Sequence, residues 1–266
     1  MKKNTIESER YLILQEIGEG GFSRVYKAKD INTGDVVVLK NYKTHDIYNK
    51  QRLMADVERE LDVLKYKTHP GLPKVFNIIF KENQFYLVME FVEGVSLEEL
   101  CIKRKFFRKK EIIDFGRQIL SALYYLHSLE PPIIYRDLKP ANVMIQSSGH
   151  IKLIDFGNAK RFNRDVSADT VAVGTPKFAA PEQYGDRFGN GIYNTDIRTD
   201  IYGVGAVLYY IATGMKLGEK GHIIRKILYS LRFGRRFNRM IKKATKLYPK
   251  DRYQDAIEML VDLYKV

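Results

Sequence analysis

The hydrophobic pattern of this chain changes its period part-way along, and that change limits the fold more than any other feature of its 266 residues. Up to about residue 91, most segments alternate apolar and polar residues, as in DVVVLKNYK and QFYLVMEFV, and turn residues separate them. Such alternation is typical of strands with one buried face. The exception is the stretch 53–64, where apolar residues recur every three or four positions and predict one helix.

From about residue 97 the period becomes helical. EIIDFGRQILSALYYLHSL places its apolar residues on one stripe, DIYGVGAVLYYIATG is apolar nearly all round, and an amphipathic helix is predicted from about Tyr253. We therefore predict an α+β fold of two lobes. Residues 11–91 form a small antiparallel β-sheet lobe with one helix, 92–96 a hinge, and 97–266 a larger, mainly helical lobe. A cleft between lobes is a preferred place for a ligand.

Composition limits the class and the compartment of the protein. Hydrophobic residues make up 45% of the chain, so a sizeable core is expected. Cys101 is the single cysteine, which excludes an internal disulfide and fits a reducing compartment. The N-terminal segment MKKNTIESERYLIL lacks the apolar centre of a signal peptide, and the longest apolar run is too short to span a bilayer. We expect a cytoplasmic protein with no membrane segment.

The net charge of +13 admits several partners. Nucleic acid, an anionic membrane surface and acidic proteins would all suit it, and so would plain solvated lysines. Nucleic acid is disfavoured, because there is no zinc pattern and the basic residues are not organised around a recognition helix. The region 216–236 is very basic, with Glu219 as its one acid. We expect protein partners, acidic ones docking on 216–236, with a solvated face as the alternative.

A glycine-rich segment, GEGGFSRV, sits between two predicted strands. Gly18, Gly20 and Val25 match the phosphate-binding pattern G-x-G-x-x-G-x-V, while Ser23 replaces its third glycine. Glycines let backbone amides approach phosphates closely, although a plain hairpin turn would also use them. A P-loop is excluded because no Gly-Lys-Ser/Thr follows, and a dinucleotide fold is disfavoured because a strand comes next.

A lysine, Lys40, ends the apolar strand VVVLK. It is either a surface residue with its amine in water or the neutraliser of a phosphate chain. The second role needs a carboxylate to hold the amine. Glu60 lies on the apolar side of the predicted helix and is the preferred partner, whereas the competing Glu58 points away.

Four candidate catalytic and metal-binding residues lie in YRDLKPAN and in the DFG triplet that follows it. Asn142 and Asp155 flank a predicted hairpin, VMIQSSGHIKLI, and present two hard oxygen ligands of the kind that suits Mg²⁺. Asp137 is then available to accept or orient the proton of a substrate hydroxyl. Lys139 can balance charge on a transferring phosphoryl group. The set predicts phosphoryl transfer.

Taken together, GEGGFSRV, VVLK, MEFVEG, YRDLKPAN, DFG, GTPKFAAPE and PKDRY resemble the eukaryotic-type serine/threonine protein kinases, their bacterial members in particular, over about Tyr11 to Tyr264. The resemblance implies one protein kinase domain over 1–266 with ATP and Mg²⁺, or Mn²⁺, as cofactors. It also implies that Lys40 pairs with Glu60. Its implied adenine contacts are Val25, Val38, the gatekeeper Met89, the backbone of Glu90 and Val92, and Met144.

The resemblance assigns further roles in the helical lobe. Glu182 would form a buried pair with Arg252, and Asp200 would tie the catalytic loop to the central helix. Tyr135, where the family's motif usually has histidine, would stack beneath Phe156. Lys139 and Thr175 mark the serine/threonine class. Small-molecule kinases share the aspartate but lack the APE-like segment and its arginine partner.

Regulation is also implied. Arg136 would meet a phosphate on the activation loop, where Ser167 and Thr170 are the available hydroxyls. We therefore expect a serine/threonine protein kinase that uses ATP on protein substrates and phosphorylates itself. The alternative is a pseudokinase, a scaffold that binds nucleotide or partner proteins without turnover.

Overall fold

The computed structural model describes residues 5–6, 10–19, 23–43, 68–81, 84–104, 107–162, 173–184, 195–218 and 223–266, with the backbone alone for 5–6, 43, 80–81 and 223–231. The chain divides into two compact units. The first comprises 1–68 and 72–93, and the second 69–71 and 94–266. The helix predicted at 53–64 lies outside the described residues.

The first unit is built on an antiparallel β-sheet, in the order β1-β2-β3-β4-β6-β5. Period-2 alternation along these strands sends neighbouring side chains to opposite faces, as the sequence predicts. The strands are β1 (Thr5–Ile6), β2 (Tyr11–Glu19), β3 (Ser23–Asp30), β4 (Val36–Lys43), β5 (Val75–Lys81) and β6 (Gln84–Glu90).

One face of this sheet forms a hydrophobic core. Its buried members are Tyr11, Ala28, Val37, Leu39, Ile79, Tyr86 and Val88. The other face carries different residues, because Val25 pairs with Lys40 and Val38 pairs with Met89 across neighbouring strands. Alternation thus separates the core residues from a second set that contains Lys40.

The second unit is mainly helical, with short strands, and the α+β prediction is confirmed. Its helices are α1 (Leu97–Lys103), α2 (Lys109–His127), α3 (Ile197–Thr213), α4 (Ile223–Ala244) and α5 (Ala256–Tyr264). Its strands are β7 (Val95–Ser96), β8 (Ile133–Ile134), β9 (Val143–Ile145), β10 (Ile151–Leu153) and β11 (Lys160–Arg161). Single 3₁₀ turns occur at Pro140–Asn142, Pro181–Tyr184 and Pro249–Asp251.

The helix ends follow ordinary capping chemistry. Asp196 caps α3 by accepting a hydrogen bond from the Arg198 N–H, and Gly214 ends it with a left-handed φ of 69°. Asp255 caps α5 by accepting from the Glu258 N–H. The last helix therefore begins at Ala256, three residues after the predicted start at Tyr253.

The central helix α3 is buried along much of its length, as predicted. Two glycines let helices approach closely. A Cβ on Gly205 would lie 2.8 Å from the Cβ of Ala244 on α4, and one on Gly116 of α2 would lie 2.9 Å from a Leu263 methyl on α5. No helix in the described part of the chain has the length and apolar character needed to cross a membrane.

Candidate active site

Lys40 lies on the non-core face of the first unit's sheet. Only 6% of its surface is exposed, and its Nζ is 5.3 Å from the centroid of the Tyr42 ring. Its register partner on β3 is Val25. Because an ammonium group is costly to bury, this placement does not fit a solvated surface lysine. Glu60, the predicted partner of Lys40, lies outside the described residues.

Val25, Val38 and Met89 share the face that carries Lys40. Gly18 pairs with Val25 across β2 and β3, and a Cβ added at Gly18 would contact the Val25 side chain at 3.7 Å. This apolar surface beside a buried lysine could hold the flat ring of a nucleotide base. Ser23 begins β3, whereas Gly20 lies outside the described residues.

The end of β6 presents backbone groups. The Glu90 N–H donates to the Lys74 carbonyl at 2.8 Å, and the Glu90 carboxylate accepts from the Lys74 N–H at 3.0 Å. The backbone group that Glu90 could offer to a ligand is therefore its carbonyl, since its N–H is engaged. Val92 follows two residues later and is buried.

The hairpin of β9 and β10 brings two predicted metal ligands to one end. Val143 pairs with Leu153, and the Ile154 N–H donates to the Asn142 carbonyl at 2.9 Å. Asn142 directly precedes β9 and Asp155 closely follows β10, so the hairpin's open end carries both side chains. Asp155 has a φ of 64°, a left-handed conformation that is uncommon for non-glycine residues.

These two side chains suit a magnesium ion. The Asn142 Nδ2 donates to the Asp137 carbonyl at 2.9 Å, which leaves the amide oxygen as the atom able to bind a cation. With the Asp155 carboxylate it forms a pair of hard oxygen ligands, and Mg²⁺ binds few protein ligands alongside phosphate oxygens. Within the described ranges, no cluster of three His, Cys, Asp or Glu residues could hold a metal by itself.

Asp137 is the centre of a polar cluster and is 5% exposed. Its Oδ1 accepts from the Thr175 hydroxyl at 3.0 Å, and its Oδ2 accepts from the Lys139 Nζ at 2.9 Å and from the Asn142 Nδ2 at 3.2 Å. Each carboxylate oxygen is thus held in place from a different direction. A carboxylate fixed in this way can orient a hydroxyl and accept its proton.

Asp200 on α3 fixes the backbone of residues 135–142, the predicted catalytic loop. Its two carboxylate oxygens accept from the N–H groups of Tyr135 and Arg136, each at 2.8 Å. His127, at the end of α2, donates to the same carboxylate at 2.8 Å. The sequence analysis did not single out His127, although its place four residues after Leu123 on the apolar stripe was an available signal.

Tyr135 is fully buried and makes two kinds of contact. Its ring meets Phe156 edge to face at 5.1 Å between centroids, and its hydroxyl donates to the Ile154 carbonyl. Burial, together with the charges of Asp155 and Asp137, raises the pKa of the Tyr135 hydroxyl well above its ordinary value. The hydroxyl therefore stays protonated and keeps donating to the residue before Asp155.

Arg136 and Gln183 connect the catalytic loop to later segments. The Arg136 Nε donates to the Asn158 carbonyl at 2.6 Å, just past the DFG triplet. The Gln183 amide donates to the carbonyls of Arg136 at 2.6 Å and Val173 at 3.0 Å. Gln183 directly follows the APE-like segment, and the sequence analysis assigned it no role in the site.

Glu182 and Arg252 form a buried, two-pronged ion pair, 70 residues apart in the chain. The two guanidinium nitrogens donate to the two carboxylate oxygens at 2.6 and 2.7 Å. The Thr199 hydroxyl donates to the same carboxylate at 2.9 Å, and Arg252 also donates to the Arg198 carbonyl at 3.1 Å. This pair anchors the segment that contains Gln183.

Other predicted residues are placed as follows. Met144 lies on β9 and is half-buried, between register partners Ser96 and Lys152. Ser167 and Thr170, the expected phosphorylation sites, lie outside the described residues.

The protein kinase domain family matches residues 11–264. The chain is 31% identical over 97% of its length to the probable serine/threonine-protein kinase PknB of Lactococcus lactis, and 31% over 98% to a probable serine/threonine-protein kinase of Clostridium perfringens. It is 30% identical over 96% of its length to the serine/threonine-protein kinase PrkC of Bacillus subtilis.

The curated relatives are longer proteins. The chain spans 42% of the Lactococcus protein, 39% of the Clostridium protein and 40% of the Bacillus protein.

Proposed function

The chain belongs to the protein kinase domain family, and from that premise we propose that it transfers the γ-phosphoryl group of ATP to serine and threonine hydroxyls of proteins. The polar cluster of Asp137 with Lys139, Asn142 and Thr175 carries this proposal. The three relatives named above are serine/threonine-protein kinases or probable ones, which supports the choice of acceptor.

The reaction needs an oriented hydroxyl and a place for its proton. In the proposed mechanism the acceptor oxygen attacks the γ-phosphorus, the bond to the β–γ bridging oxygen breaks, and ADP leaves. Asp137 orients the acceptor hydroxyl and takes its proton. The Lys139 Nζ lies 2.9 Å from the Asp137 Oδ2, so it would be close enough to the acceptor hydroxyl to offset negative charge on the transferring phosphoryl group. Phosphoryl transfer depends mainly on such positioning and charge stabilisation.

We propose nucleotide-binding roles for residues of the first unit's sheet and, separately, for residues at the hairpin end in the second unit. Lys40 would neutralise phosphate charge, and Val25 and Val38 would contact the adenine ring. Asn142 and Asp155 would hold Mg²⁺, with Mn²⁺ as an alternative. When bound, that ion would neutralise charge on the phosphate oxygens.

A labelling experiment tests the activity. The chain is incubated with γ-labelled ATP and Mg²⁺, alone and with a generic basic protein, and the labelled residues are identified after hydrolysis. We expect phosphoserine and phosphothreonine but no phosphotyrosine. Asp137→Asn and Lys40→Met should reduce incorporation to background, because the first removes the base and the second removes the phosphate-neutralising amine.

A matched control is Asp35→Asn, which removes an exposed carboxylate in a β-hairpin turn of the first unit. It should label like the native chain. Incorporation no higher than that of Asp137→Asn would contradict the activity. If ATP still raised the melting temperature in that case, the pseudokinase alternative would be favoured instead.

We also propose that phosphorylation of the segment around Thr170 regulates activity, with Arg136 as the receiving cation. A phosphate brings nearly two charges and three acceptor oxygens that arginine can bind. Thr170→Ala should lower activity. Full activity in the Ser167→Ala, Thr170→Ala double variant would contradict this regulation.

For partners, we propose that acidic protein substrates dock on the basic region 216–236. Arg235 and Arg236 are exposed there, and Lys216 lies 5.7 Å from the Phe178 ring, three residues after Thr175. Binding driven by charge weakens as salt is added. Affinity for an acidic substrate that does not change with ionic strength would argue against this docking site.

A further inference from the structure

Most of the net charge of the chain comes from one stretch. Residues 220–250 contain eleven lysines and arginines and no aspartate or glutamate, against a net charge of +13 for the whole chain. The part of α4 that follows the kink at Gly234 holds the centre of this stretch. Its buried side, with Phe237, Met240, Ile241 and Ala244, faces the core of the second unit.

Four basic residues line the opposite, solvent side, and we name them the basic stripe: Arg235, Arg239, Lys242 and Lys246. All four are exposed. Their spacings of four, three and four keep them within roughly 60° of one another around the helix, over a length of about 16 Å. The helical turn reaches the last of them, since the Lys246 N–H donates to the Lys243 carbonyl.

The basic residues next to the basic stripe make hydrogen bonds or ion pairs within the second unit. Arg232 donates to the Phe107 carbonyl, Arg236 donates to the Lys265 carbonyl, and Lys243 pairs with Glu258. Within the part of the chain that the structure describes, no ion pair or side-chain hydrogen bond involves the basic stripe.

Helix stability does not explain the basic stripe. Like charges three or four residues apart on a helix repel one another. Arg235 also stands in the first turn after the kink, where the helix dipole disfavours a cation. Such an arrangement costs stability unless an external anion lies against it.

The residues that follow the basic stripe indicate which anion. Leu247 and Tyr248 come directly after Lys246 and are 54% and 59% exposed, and the Lys250 Nζ lies 5.9 Å from the Tyr248 ring. An acidic protein could bind the basic side chains without using the exposed Leu247 and Tyr248. A bilayer interface binds both the charges and these two side chains. Anionic headgroups bind lysine and arginine, while aliphatic and tyrosine side chains enter the headgroup region.

We propose that the basic stripe, with Leu247 and Tyr248, is a peripheral binding surface for membranes that contain anionic lipids. The four basic side chains follow one side of the helix and the turn after it, so they can all reach a flat bilayer at once. None of these residues belongs to the candidate active site, and only Arg235 lies within the region 216–236 proposed above for acidic substrates. Membrane binding is measured without ATP.

Co-sedimentation with vesicles tests the proposal. The 266-residue chain is mixed with phosphatidylcholine vesicles that contain 30% phosphatidylserine, and with pure phosphatidylcholine vesicles. We expect binding to the anionic vesicles only, weakening as salt rises. Changing the basic stripe to glutamine at all four positions should weaken binding by about fivefold per residue, more than a hundredfold together.

The matched control removes four exposed lysines elsewhere: Lys29→Gln, Lys74→Gln, Lys103→Gln and Lys110→Gln. It has the same net charge as the stripe variant and should keep most of the binding. Circular dichroism melting shows that each variant is folded. Leu247→Ser with Tyr248→Ser should weaken vesicle binding at every salt concentration.

Two results would overturn the proposal. One is equal loss of vesicle binding in the control and stripe variants, which would mean that binding depends on net charge and not on where the charges lie. The other is binding of the native chain to polyglutamate with none to anionic vesicles, which would assign the basic stripe to acidic proteins instead.

Discussion

At the scale of single residues, Tyr135 shows how one side chain combines packing with hydrogen bonding. Its place in YRDLKPAN differs from the motif's histidine, and the sequence analysis assigned it packing alone. In the structure its ring contacts Phe156 while its hydroxyl donates to the Ile154 carbonyl, directly before Asp155. Tyr135 therefore supports the backbone that carries a proposed metal ligand.

Removing this hydroxyl is a direct test. Tyr135→Phe keeps the ring but takes the donor away from the Ile154 carbonyl, which should lower the free energy of unfolding by about 1 kcal/mol. We expect the Mg²⁺ concentration for half-maximal activity to rise more than the Km for the protein substrate. Tyr135→His should be mild. An unchanged Mg²⁺ requirement in Tyr135→Phe would show that the ring alone matters.

Cys101 gives a second prediction at this scale. The residue lies on α1 and is half-buried rather than fully buried. Burial, with a smaller contribution from Glu98, raises the pKa of its thiol to about 12. At pH 8 the folded chain should therefore react with iodoacetamide on the order of a thousandfold more slowly than the urea-unfolded chain. Similar rates in the two states would contradict the shift.

At the scale of secondary-structure elements, close packing of α3 sets the frame of the second unit. Asp200, in the first turn of this helix, reaches the catalytic loop only because the helix is held in place by its neighbours. Gly205 lies against the end of α4, where an added Cβ would meet both Ala244 and Thr245 at 2.8 Å.

Gly205→Ala should push α3 and α4 apart. Overpacking of this kind costs about 1–3 kcal/mol, against about 1 kcal/mol gained from alanine's better helix propensity. We expect a net loss of stability in urea denaturation. Adding Ala244→Gly should recover part of it by removing one of the two contacts. A single variant as stable as the native chain would show that the helices adjust without cost.

At the scale of the whole molecule, long-range polar contacts hold the second unit together. The Glu182–Arg252 pair joins segments 70 residues apart, and both side chains are almost fully buried. Asp200 joins its helix to the catalytic loop across 65 residues. Such contacts depend on the complete unit, since no local segment contains both partners.

Arg252→Ala should be severely destabilising. It leaves the Glu182 carboxylate buried without its partner, at a cost of about 3–5 kcal/mol. Arg198→Ala, which breaks the partly exposed pair with Asp196, should cost about 0–1 kcal/mol in the same urea titration. Replacing both Glu182 and Arg252 by apolar residues should be less damaging than Arg252→Ala. Equal stability of Arg252→Ala and Arg198→Ala would contradict the role given to the buried pair.

The sequence by itself determined the change from a strand-rich first part to a mainly helical second part, because hydrophobic period is a local property that survives without tertiary context. It also predicted the roles of Asp137, Lys139, Asn142 and Asp155, since the motifs YRDLKPAN and DFG are short runs that are recognisable without the fold. The residues that contact them in the fold could not be predicted in this way. The sequence analysis gave Gln183 and His127 no role, and only the folded chain brings them to Arg136 and Asp200.

Tertiary structure likewise decided the state of Lys40, of the Tyr135 hydroxyl and of the basic stripe. Whether a lysine is buried or solvated depends on what packs over it, and a hydroxyl's partner depends on which carbonyl the fold brings near. The eleven charges of residues 220–250 are visible in the sequence. Which of them are engaged and which face solvent follows from contacts with segments far away in the chain, because charges are neutralised in space rather than in sequence.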